Sequence, residues 1–318
     1  MKRILSLILD VMLIGCTNVN ESNREQYLAI PLSETIDEET PCSLELTFGR
    51  SATTKALVET TEFPYNSSVG VSIMDYVGGI DRYIGQEYTN VKYTAGFAIN
   101  NTRQWSTKTP IKLVRESGVL LSYYPYSEIP STNYDTYTRN LIEVRASSSE
   151  QTDYMWGNPV IVDNKNYVVS ITMQHALSAI RIFCNRGSYK GTGKITAVAF
   201  GGDCAATKGI LDIANGQLYD LSGQGTMIAP AILAHTIKSY KQKISDVIVV
   251  PTPRTNGRVV VTLDGTDYPI EFDNLKLTPG EITCFFLTAN EGEMSASDVT
   301  VENWSYSEPE SGEIIMGI

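Results

Sequence analysis

Tyr167-Val168-Val169-Ser170-Ile171-Thr172-Met173, followed by Ala179-Ile180-Arg181-Ile182-Phe183-Cys184, decides the fold class. In the first run Val169, Ile171 and Met173 recur at every second position, the period at which side chains share one face of a strand. The second run is short, apolar and β-branched, as a buried strand requires. Working outward, similar runs lie at 69–74, 92–99, 111–114 and 119–124 on one side. On the other they lie at 195–200, 244–250, 258–263, 282–287 and 299–301. Most are 4 to 8 residues long and end at Gly, Pro, Asn, Asp or Ser, the pattern of a sandwich or barrel. Helical periodicity is sparse. Only 228–240 could hold a short helix, with Pro230 in its first turn. The expectation is an all-β chain.

About 300 residues make two domains the natural count. The turn-rich stretch Asp163-Asn164-Lys165-Asn166 separates two strand-dense halves, predicting domains at 51–165 and 166–318. Eighteen tyrosines against eight phenylalanines suit half-buried strands with wet edges.

The N-terminus has a different character. Lys2 and Arg3 precede an apolar run that ends at Gly15-Cys16, a charged and then hydrophobic export signal over residues 1–16. Leu13-Ile14-Gly15-Cys16 resembles a bacterial lipobox, which implies an acylated Cys16 anchored to the outer membrane; Asp10 departs from that pattern. Residues 17–41 are polar and acidic and read as a tether. No later stretch approaches the roughly 18 apolar residues of a membrane span.

The net charge of −11 argues against a nucleic-acid partner, whose phosphates need a basic face. Cys184, Cys204 and Cys284 are odd in number, so at most one disulfide joins them, and no C-x-x-C pair exists.

Chemistry-bearing motifs are weak. His175 and His235 are the only histidines and lack paired zinc spacing. His175 continues the alternation of Ile171 and Met173, which suits a structural role. The stretch GSYKGTGKIT at 187–196 fails as a phosphate loop, because Ser188 stands where Gly is needed and Ile195 follows Lys194; it reads as a turn. Asp264-Gly265 reads as a hairpin turn more than as a calcium loop. Asp75 and Asp81, near Tyr76 and Tyr83, have nothing to mark them as a catalytic pair. No enzyme, metal or cofactor is expected.

Five segments in order carry a family resemblance. They are the lipobox at Cys16, Tyr123-Tyr124-Pro125-Tyr126, Asp153-Tyr154-Met155-Trp156-Gly157, His175-Ala176-Leu177-Ser178-Ala179-Ile180, and Val299-Thr300-Val301-Glu302-Asn303-Trp304. Together they resemble the fimbrillin family of Bacteroides-type (type V) pili, in its major or minor and tip subunits. The resemblance implies two transthyretin-like β-sandwich domains in tandem, export as a lipoprotein, and polymerisation at the cell surface.

Two segments give that assembly a physical form. Leu44, Leu46 and Phe48 alternate on one strand face, followed by Gly49 and Arg50, then polar Ser51. The resemblance implies that a trypsin-like protease cuts after Arg50 and removes residues 17–50, tether and first strand together; Lys55 is a second candidate. With the export signal also gone, loss of residues 1–50 deletes four basic and eight acidic side chains, taking the net charge from −11 to −7. At the other end Ile314, Met316 and Ile318 share one face and mirror the first-strand trio. This tail either fills the vacated groove of another subunit as a donor strand or folds back on its own domain. Three functions stay open: a pilus subunit whose partners are other subunits; a lipid-anchored tip adhesin binding a glycan or host protein; and a surface glycan hydrolase, which would need a carboxylate pair about 5–9.5 Å apart.

Overall fold

The computed structural model describes residues 40–54, 57–75, 83, 88–99, 102–128, 141–148, 151–230 and 235–304. The first strands are β1 (Cys42–Ser43), β2 (Glu45–Thr54), β3 (Leu57–Glu62), β4 (Ser68–Asp75), β5 (Val91–Ile99) and β6 (Thr102–Ser106). Then come β7 (Lys112–Leu113), β8 (Gly118–Tyr124), β9 (Leu141–Arg145), β10 (Met155–Val162) and β11 (Val168–His175). The second half opens with β12 (Ser178–Arg186), β13 (Lys194–Gly201), β14 (Ala205–Ala206), β15 (Lys208–Asp212), β16 (Gln217–Ser222) and β17 (His235–Thr236). It closes with β18 (Gln242–Pro251), β19 (Gly257–Leu263), β20 (Thr266–Phe272), β21 (Glu281–Ala289) and β22 (Met294–Asn303). The fold is all-β, as the alternation requires, with no α-helix among the described residues.

An eight-stranded sheet runs β3-β2-β11-β10-β8-β4-β5-β6. A five-stranded sheet, β14-β18-β12-β21-β22, and a four-stranded sheet, β17-β13-β19-β20, make up most of the second half. β9 crosses over to pair with β15, which also carries β16. In β11 the alternation is realised directly: Val169, Ile171 and Met173 are buried while Val168 is exposed.

Two apolar clusters result. The first gathers Leu44, Leu46, Phe48, Val71, Tyr93, Leu120, Ile171 and Met173. The second joins Ile180, Ile182, Val198, Phe200, Val247, Val259 and Phe285 from the five- and four-stranded sheets, the shared core of two facing sheets.

Two expectations need correction. The boundary at 165/166 falls before β11, yet β11 is hydrogen-bonded to β2 and β10 in the first sheet. The chain changes sheet at Ala176–Leu177 instead, because the turn at Asp163 only closes the β10–β11 hairpin; there Asp163 accepts from the N–H groups of Lys165 and Asn166. The short helix that 228–240 could hold is absent among the described residues of that stretch. The N–H and C=O of Ile228 both bond Phe200, and His235–Thr236 pairs with β13, so the backbone groups a helix would use are spent on a sheet edge. Ile228 and Ile237 bury into the core from that edge.

Candidate strand-exchange site

The first strand is held along its length by three neighbours. Cys42 and Ser43 pair with Leu113 and Lys112, and the Leu44 N–H donates to Ile111 O at 2.9 Å. From Glu45 to Arg50, β2 runs parallel to β11, from Val168 to Met173. From Gly49 onward it also runs antiparallel to β3, ending at Thr54 opposite Leu57. Leu44, Leu46 and Phe48 are all buried, so the trio singled out in the sequence does line the core side.

Phe48 fills an aromatic socket. Trp105 meets it edge-on with centroids 4.8 Å apart, and Phe63 meets Trp105 at 5.6 Å. The buried Trp105 Nε1 has no acceptor among the described residues. Trp105 lies 57 positions from Phe48, and nothing in its local sequence marks it as the socket wall.

Arg50 departs from expectation. A cut after Arg50 implies a strand that ends there, but β2 continues to Thr54, and Arg50 pairs with Met173 on one side and Thr61 on the other. Its Nη2 donates to Glu62 O at 3.0 Å, and its guanidinium lies 5.6 Å from the Phe63 ring centre. Backbone pairing overrides the polar Ser51–Thr54 sequence, which has no strand alternation of its own. Arg50 is the last β2 residue with a strand on both sides; beyond it only β3 remains. Cys16, Lys55, Ile314, Met316 and Ile318 lie outside the described residues.

The remaining candidates have structural roles. His175 Nδ1 is 2.9 Å from Asp153 Oδ1, and its ring stacks on Trp304 at 4.3 Å and 4°. That places the imidazole in packing, as its strand alternation implied. Residues 187–193 form the turn between β12 and β13. Asp264 braces that turn, accepting from the Thr192 hydroxyl, the Gly193 and Lys194 N–H groups and the Tyr189 hydroxyl. These bonds, that of Thr192 foremost, hold its carboxyl well below the usual carboxylate range. Asp264 and Gly265, both at positive φ, close the β19–β20 hairpin, so the D-G reading stands. Asp75 is exposed at the end of β4, while Tyr76 and Asp81 lie outside the described residues. No cluster of His, Cys, Asp or Glu suited to a metal occurs among the described residues, and no helix there is long and apolar enough to cross a membrane.

Fold and site together define an all-β protein whose first strand is wedged into a sheet shared by distant parts of the chain. The chain belongs to the fimbrillin-like family, whose model it matches over residues 22–304. The fold is also that of a candidate cell-adhesion protein from Bacteroides uniformis, at 18% identity and TM-score 0.61, covering 83% of this chain and 98% of that one. A second, from Bacteroides ovatus, aligns at 12% identity and TM-score 0.62 over 85% of this chain and all of the other. A third, from Bacteroides fragilis, aligns at 11% identity and TM-score 0.54, covering 84% and 99%. No curated protein matches. The matched family is fimbrillin-like, which gives the surface glycan hydrolase no support.

Proposed function

We propose that this chain is a fimbrial subunit, exported as a lipoprotein acylated at Cys16, cleaved after Arg50 and polymerised by donor-strand exchange. The observation that carries the reading is the setting of the first strand. Its three apolar side chains fill a buried row, and its backbone fills a slot beside β11. Removing it would uncover apolar surface worth about 1.5–3 kcal/mol per side chain and leave the β11 edge without a partner. Such a groove is a template for an extended, alternating strand, and Ile314, Met316 and Ile318 have that form. Cleavage at Arg50 would fall where two ladders thin to one, so a protease working inward from Ser51 has only the β3 pairing to open. The partners on this reading are other subunits and a trypsin-like protease, and the site of action is the cell surface.

The test is intact mass and N-terminal sequencing of surface material from wild type, Arg50→Gln and the double variant Ile314→Asp/Met316→Asp. The reading expects a mature start at Ser51 with polymer ladders in wild type. Arg50→Gln should give an uncleaved monomer, and the tail variant a cleaved monomer. A wild-type start at acylated Cys16 with monomer alone would overturn it.

A further inference from the structure

We propose that the exposed face of the β5–β6 hairpin is a carbohydrate-binding platform, with Phe97 and Tyr65 as its stacking surface and a neutral pyranose as its ligand. This does not depend on strand exchange. Phe97 is 74% exposed, Ile99 60% and Tyr65 50%, the largest such grouping among the described aromatic and aliphatic side chains of the first half. The Tyr65 and Phe97 rings stack with centroids 4.7 Å apart and planes at 26°. Tyr65 stacks on Phe97, which nonetheless remains 74% exposed.

The backbone builds this arrangement. The β5–β6 ladder shifts register between Ala95 and Ala98, and a bulge of this kind re-aims the side chain it carries. Arg103 braces the bulge from the inner face: Nε donates to Phe63 O at 3.1 Å and Nη1 to Gly96 O at 3.0 Å. Its backbone N–H donates to Glu62 Oε1 at 2.9 Å, and Glu62 pairs with its guanidinium at 3.5 Å. The turn bearing Tyr65 is tied to the same strand, by Asn66 N–H to Ala95 O at 2.9 Å and Ala95 N–H to Ser67 O at 2.8 Å. Both rings therefore stand on fixed backbone, so little ordering cost remains for a ligand.

Size and charge identify the occupant. Two partly covered rings of roughly 150–250 Å² each offer far less than the roughly 800 Å² per partner of a stable protein interface. One or two sugar rings need no more than this. Among the described residues Arg103 is paired with Glu62, so it offers an anionic ligand no free charge at the bulge. A pyranose lays its C–H face on an aromatic ring and turns its hydroxyls outward. Asn66, next to Tyr65 in sequence, and Thr102 and Gln104 on β6 are exposed and carry donors and acceptors for those hydroxyls.

Saturation-transfer NMR on the exported chain tests this, with methyl β-galactoside, methyl β-glucoside and methyl α-mannoside as probes. The proposal expects transfer to the ring C–H protons of at least one probe. Phe97→Ala should weaken binding at least tenfold with an unchanged melting temperature, and Phe97→Trp should retain it. No transfer from folded wild type to any probe overturns the proposal, as does equal transfer in Phe97→Ala. Sedimentation on the same samples covers the remaining case: concentration-dependent dimers abolished by Phe97→Ala would assign the patch to chain–chain contact and overturn it as well.

Discussion

Phe48 meets Trp105 edge-on, with ring centroids 4.8 Å apart, so the first strand is keyed to the hairpin arm of the same sheet by an aromatic contact. Its backbone partners, β11 and β3, lie elsewhere. The strand is fixed in two ways, by hydrogen bonds to β11 and β3 at its edges and by the aromatic socket that holds Phe48.

Phe48→Ala should therefore cost about 3–5 kcal/mol in the full-length chain, the range for emptying a large buried aromatic site. Urea unfolding would show a lower midpoint at unchanged slope. Water reaching Trp105 should also shift its fluorescence to longer wavelength. A cost under about 1 kcal/mol would mean that the socket collapses freely around the gap.

Trp304 closes the last described strand by stacking its ring on His175 and donating its backbone N–H to Gly280 O at 2.8 Å. Trp304→Ala is expected to destabilise by about 3–5 kcal/mol. Trp304→Phe, which keeps a ring over the imidazole, should recover most of that. Thermal melts of the two variants side by side decide it.

Asp264 gives a pH signature. Its carboxyl titrates far below the value of about 3.9 expected in an unfolded chain, so its stabilising bonds are fully present above that value. They are lost as pH falls toward the depressed folded value. The difference in melting temperature between wild type and Asp264→Asn should hold steady from pH 7 to about 5 and shrink below about 4. A difference that grows on acidification would reverse the assignment.

Cys184, Cys204 and Cys284 are free and buried. Burial pushes the Cys184 thiol up to about 12 and the other two up to about 11. Uncleaved folded protein treated with iodoacetamide at pH 8 should stay unlabelled at all three, whereas Cys42, which is partly exposed, should react. Mass mapping after unfolding should then find the three label freely.

Much of the fold was legible because burial on one face leaves a period of two in the sequence. Val169, Ile171 and Met173 show it, as do Leu44, Leu46 and Phe48, and both sets lie where that period puts them. What was not legible depends on partners. The segment Gly49–Thr54 has no alternation, and it is a strand because β3 and β11 offer it hydrogen bonds. The parallel pairings of β2 with β11 and of β12 with β21 join residues about a hundred positions apart, a choice made by tertiary packing alone. The stretch 228–240 was open to a short helix, and its described residues instead pair with Phe200 and β13. At the candidate site the buried trio could be read, but its socket wall, Trp105, could not. Arg50 was identified by type, while its place inside a ladder followed from strands that the local sequence does not mention.

The parallel run of β2 on β11 has a mechanical meaning. A pull on the chain ahead of Cys42, directed along the strand axis, loads the ladder from Glu45 to Arg50 in shear. Its bonds then share the tension and must yield together, whereas a pull across the sheet would peel them one at a time. A chain tugged from its leading end would resist along the strand and give way sideways, so the direction of a load matters as much as its size.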